Sequence, residues 1–136
     1  MTFKEFTNKL EIKIIASYEQ GITLDEAEKL AGEFLVAQLR VSSELRTTDL
    51  DARMRKTGVK SIKAAAYLGL VKDAEKQEKK KPTEGQLSAE IDLEDAVVEQ
   101  QNELDTAEVD RDELERMYNV FGNAHIYFRN LAKGSM

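Results

Sequence analysis

The chain contains no cysteine, one proline, one histidine and seven glycines in 136 residues. Without cysteine there is no disulfide, no thiol nucleophile and no zinc–thiolate site, and the lack suits a reducing cytoplasm. So little proline and glycine leaves scant material for β-turns, which points to helices. A histidine with neither a second histidine nor a cysteine beside it makes no zinc site. No G-x-S-x-G-like turn presents a serine nucleophile, and no G-x-x-x-x-G-K-[ST] loop cradles phosphates. The acidic run "ELDTAEVDRDELE" lacks the spacing and the glycine of a calcium loop. No apolar run approaches the roughly 18–20 residues that cross a bilayer, and "MTFKEFTNKLEIKIIASYEQ" has none of the three regions of a signal peptide. The expectation is a soluble, cytoplasmic, non-enzymatic protein with no catalytic residue, metal, cofactor or membrane partner.

What the chain has in quantity is charge, and it is segregated. Residues 52–81 carry ten Lys/Arg and three Asp/Glu, a local +7, whereas 84–117 carry thirteen Asp/Glu and two Arg, a local −11. Six bases and ten acids precede them, and the tail adds two bases, which gives −6 overall. A basic block beside an acidic one either neutralises it, within or between subunits, or faces an external polyanion.

Apolar spacing predicts the helices. Phe3, Phe6, Leu10, Ile14 and Tyr18 recur at threes and fours, and Gly21 then suits a left-handed terminus. Thr23 with Glu26 forms a capping box. Leu24, Ala27, Leu30, Ala31, Phe34, Leu35, Gln38 and Leu39 carry the next helix to about Arg46. The threonines at 47 and 48 and a cap formed by Thr48 with Asp51 predict a short break. The following helix, from Asp49 to about Val71, shows a thin apolar stripe of Leu50, Met54, Ile62, Ala65, Ala66 and Leu68. A Lys-rich crossover ends in Lys79–Lys81 and Pro82. Thr83 with Gln86 then caps a short helix bearing Leu87 and Ile91, and Asp92 caps the last and longest element. There Val97, Gln100, Leu104, Ala107, Arg111, Leu114, Tyr118, Phe121, His125, Phe128 and Ala132 alternate by threes and fours, the period of a coiled-coil seam. The expected fold is all-α, a helical hairpin or bundle with a long C-terminal helix, oligomeric through that helix. Its segments are an N-terminal helix pair (1–46), a basic helix and crossover (47–81) and the long helix (82–136), one domain in all. Leu104, Leu114, Tyr118, Phe121, His125 and Phe128 form the core or oligomer seam.

Two regions carry candidate chemistry. In "NAHIYFRNLAKG", His125 falls on the seam and reads as a packed histidine. Tyr127, Arg129 and Lys133 fit either base stacking with phosphate contacts or an ordinary helix end, where cations complement the macrodipole. In "DARMRKTGVKSIKAAAYLGL", Arg53, Lys56, Lys60 and Lys63 make one basic helix stripe with Tyr67 on the same face. That geometry suits a phosphate backbone. It also suits pairing with the acids Glu94, Glu99, Glu103, Asp110 and Glu113.

The order of "RMRKTGVKSIKAAAYL", "KQEKKKPTEGQL" and a long helix ending in "NVFGNAHIYFRNLAKG" resembles the phage recombination mediator family of UvsY type, over residues 36–133. The resemblance implies a small helical oligomer in the host cytoplasm that assists recombinase loading on single-stranded DNA in recombination or replication. Arg53, Lys56, Lys60 and Lys63 would then touch DNA, and the last helix would assemble the homo-oligomer. The alternative is a scaffold, adaptor or inhibitor that self-assembles or binds an acidic protein partner.

Overall fold

The computed structural model describes residues 1–77 and 83–134, and it is all-α, with no strand among those residues. Its helices are α1 (Phe3–Gln20), α2 (Leu24–Lys76), α3 (Glu84–Leu93) and α4 (Asp95–Ala132). The longest is α2, with 53 residues against 38 in α4, which corrects the expectation of a longest C-terminal helix.

The termini follow local chemistry. Thr2 and Glu5 form a capping box at the start of α1, and Thr83 and Gln86 form the predicted one at the start of α3. At α2 only half of the expected box is present, with the Glu26 amide donating to Thr23 Oγ1 at 3.2 Å. Gly21 has φ 72° and ψ 167°. That is the positive-φ extended region that glycine alone enters at low cost, rather than the left-handed helical cap expected. The predicted break at 47–49 is absent, and α2 runs through it. Two threonines lower helix propensity by only tenths of a kcal/mol each, and tertiary contacts outweigh that. Asp49 is one such contact, because it holds Arg53 on the same helix and Arg111 on α4. Asp92 does not cap α4. It lies inside α3, which ends at Leu93, and the Val98 amide bonds to the Glu94 carbonyl instead. The predicted lysine triplet of the crossover and Pro82 lie outside the described residues.

The chain forms two compact units, Met1–Arg46 with Asp112–Met136, and Thr47–Arg111. The first has an aromatic core. Leu10, Ala31, Phe34, Ala37, Val41, Leu114, Phe121, Ala124 and Phe128 are buried together. The Phe34 ring lies 5.7 Å from Phe121 and 5.5 Å from Phe128, centroid to centroid. Burial of each such side chain is worth roughly 1.5–3 kcal/mol. The Arg40 guanidinium covers the Phe6 ring at 4.4 Å and the Phe3 ring at 5.7 Å, shielding one edge of this core. At Gly122 of α4 the amide end of Gln38 of α2 fills the space beside the backbone, and a Cβ there would stand 2.5 Å from its Nε2.

The second unit has a thinner core. It buries Ala52 and Val59 of α2, Leu87 and Ile91 of α3, and Val97, Leu104 and Ala107 of α4. Ion pairs join its helices: Arg55 to Glu103 at 2.8 Å, Arg111 to Asp49 at 3.9 Å and Lys63 to Asp92 at 3.5 Å.

The predicted seam on α4 is realised at Val97, Leu104, Ala107, Leu114, Phe121 and Phe128, all buried. Tyr118 is a correction, because it is exposed. The buried line beyond Leu114 passes through Met117 and Ala124 in place of Tyr118 and His125. Phe121 and Phe128 stay on the predicted seam, and each position between Leu114, Phe121 and Phe128 is taken by the residue one step earlier, so that the covered line there runs through Leu114, Met117, Phe121, Ala124 and Phe128. His125 stays half-buried at its margin.

On α2 the correction is larger. Leu50, Met54 and Leu68 are exposed, Ala65 likewise, and the buried residues are Ala52 and Val59. Leu24, Leu35 and Leu39, expected inside, are also exposed.

Candidate polyanion-binding face

The five predicted site residues sit on one continuous helix, because α2 has no break between Leu24 and Lys76. At ~1.5 Å rise and 3.6 residues per turn, Arg53, Lys56, Lys60, Lys63 and Tyr67 share one flank. Their surroundings differ. Arg53 Nε lies 3.0 Å from Asp49 Oδ2, with its side chain 77% exposed. Lys56 and Lys60 are exposed and make no ion pair among the described residues. Lys63 Nζ is 3.5 Å from Asp92 Oδ1 on α3. Tyr67 is half-buried, and with Lys63, Leu87, Ile91 and Asp92 it lines a cavity of about 230 Å³. The two outer positions of the stripe are therefore turned towards acids of the chain, and the middle pair faces water.

Of the acids expected to neutralise the block, Glu103 does so, through Arg55. Arg55 was not singled out by the sequence. It also bonds Asp51 at 2.9 Å, and that bond chiefly raises its pKa. Glu113 instead holds Arg116, outside the basic block. Glu94, Glu99 and Asp110 make no ion pair among the described residues. Asp92, in α3, supplies the partner that spacing along a single helix had no means to reveal.

The C-terminal cluster resolves towards packing. Tyr127 stacks on Tyr18 with centroids 5.2 Å apart and meets Phe128 edge-on at 5.2 Å. His125 Nδ1 donates to the Ala31 carbonyl at 2.8 Å. One face of Tyr127 is thus taken by Tyr18 and Nδ1 of His125 is taken by the backbone, which leaves less of either ring for base stacking and recognition. Arg129 and Lys133 remain exposed at the helix end.

Among the described residues no group of three or more His, Asp or Glu side chains is placed to hold a metal ion, and no buried side-chain polar atom lacks a hydrogen bond. No helix among the described residues is long and apolar enough to cross a membrane. Comparisons with family models, curated proteins and solved structures returned no match.

Proposed function

We propose that this chain is a non-enzymatic accessory protein that contacts single-stranded nucleic acid through the basic flank of α2. The observation that carries the proposal is the pair Lys56 and Lys60, one turn apart on an unbroken helix, exposed and without an acidic partner among the described residues. Two free ammonium groups at that spacing suit successive phosphates, whose neutralisation releases counterions. Arg53 and Lys63 join them by exchanging Asp49 and Asp92, at exposed sites where an ion pair is worth about 1 kcal/mol or less. Tyr67, half-buried, has less of its surface to contribute. A role in recombination or replication, as a mediator of UvsY type would have, is the setting that the order of segments suggests.

The test is fluorescence anisotropy of a labelled single-stranded oligonucleotide between about 50 and 200 mM salt, with duplex for comparison. Binding should weaken with salt by a log–log slope of about −0.7 per phosphate neutralised. Lys56→Glu with Lys60→Glu should abolish it with helicity unchanged. Salt-independent binding, or none at the lower salt, overturns the proposal.

A further inference from the structure

Within the second unit α2 has two opposed faces. Ala52 and Val59 lie on the buried one. On the other, Leu50, Met54, Thr57, Ser61, Ala64 and Leu68 follow at steps of four and three, all exposed and none charged. Leu50 is 58% exposed, Met54 66% and Leu68 59%. This is the period at which one helix lies along another, and uncharged large side chains held in water at that period mark a packing surface. Arg53 and Lys60 border the stripe directly, where paired helices choose partners by charge. The complementary helix therefore carries acids along its flank.

We infer that the occupant is a second copy of this chain, seated through the N-terminal half of its α4. On the exposed side of that helix Val98, Asn102, Asp105 and Val109 recur at four, three and four, with Val98 41% and Val109 67% exposed. Glu99 and Asp110 run beside them, and neither makes an ion pair among the described residues. The −11 of residues 84–117 answers the +7 of residues 52–81. The two surfaces differ, so the contact is head-to-tail. Each copy offers one of each, and the result is a ring or an open row rather than a self-complementary pair. This inference shares Lys60 with the nucleic-acid proposal but is carried by a different observation, the exposed uncharged stripe of α2.

Sedimentation velocity of the full chain tests it. The wild type should associate with rising concentration and dissociate with rising salt. Met54→Glu with Leu68→Glu, and separately Val98→Lys with Val109→Lys, should each be monomeric with unchanged helicity. Mixed in equal amounts, the two variants should form a dimer, because each keeps the surface that the other lacks. A monomeric wild type at every concentration overturns the inference. So does self-association of the α4 variant alone, which would mean that α2 pairs with itself, or a mixture that stays monomeric. Should either variant unfold, Arg53→Glu with Lys60→Glu replaces it. That change should abolish association, and Glu99→Lys with Asp110→Lys in the same chain should restore it. Oligonucleotide binding by the Met54→Glu, Leu68→Glu variant separates failure of this inference from failure of the nucleic-acid proposal.

Discussion

Nδ1 of His125 lies 2.8 Å from the carbonyl oxygen of Ala31, so a side chain of α4 is latched to the backbone of α2. A carbonyl oxygen only accepts, and the proton is therefore on Nδ1. His125→Ala should cost about 1–2 kcal/mol in urea unfolding through loss of this part-buried bond. Oligonucleotide affinity should be unchanged. A variant of wild-type stability that loses affinity would refute the structural role.

Phe121 is fully buried and its ring meets Phe34. Phe121→Ala should lower unfolding free energy by about 3–5 kcal/mol. A near-zero change would place the core on another face of α4.

Two glycines should respond in opposite directions. Gly21 holds positive φ with extended ψ, and Gly21→Ala should destabilise by about 1–3 kcal/mol. Gly58 lies within α2 with no atom within 4 Å of an added Cβ. Gly58→Ala should stabilise by about 1 kcal/mol, because alanine is the better helix former. Urea denaturation of the two variants measures both signs.

The Glu113 carboxyl is held below the ordinary glutamate range, chiefly by its hydrogen bond from Arg116, which also bonds Glu11 at 3.0 Å. A depressed native pKa contributes stability that is present above the unfolded value and is lost as pH falls through the native one. The pair is half-exposed, so the effect is modest. Thermal midpoints should fall as pH drops below the ordinary glutamate range, and Arg116→Ala should flatten that part of the profile. Equal slopes in both proteins would show that other carboxylates dominate.

The helices and most of the α4 seam were legible in the sequence because large residues mark them. Phe121 and Phe128 are too big to misplace. On α2 size misled. The larger residues Leu50, Met54 and Leu68 face out, and the helix packs inward through Ala52 and Val59. Periodicity locates a stripe, but a helix bearing two stripes gives no sign of which one is covered. The same limit applies to the basic flank. Its spacing was legible, yet the partners that occupy Arg53 and Lys63 come from an acid four residues back and from a separate helix. Tyr118 was misplaced because a step of four and a step of three from Leu114 are equally helical, and the helix turns Met117 rather than Tyr118 towards the core.

The first unit is assembled from both ends of the chain, and its Glu11 and Arg116 are 105 residues apart in sequence. Its native contacts are therefore among the most non-local the protein makes, and closing so long a loop must precede any reward from packing. During synthesis the 18 residues of α1 emerge long before their partners on α4, and an isolated helix of that length is marginal in water. Phe3, Phe6 and Leu10 can meet Phe34 and Arg40 of α2 early, but Leu114, Phe121 and Phe128 of α4 reach them only after residues 47–111 have emerged. The aromatic core closes only when the last helix has left the ribosome, whereas Thr47–Arg111 already has every residue that it needs.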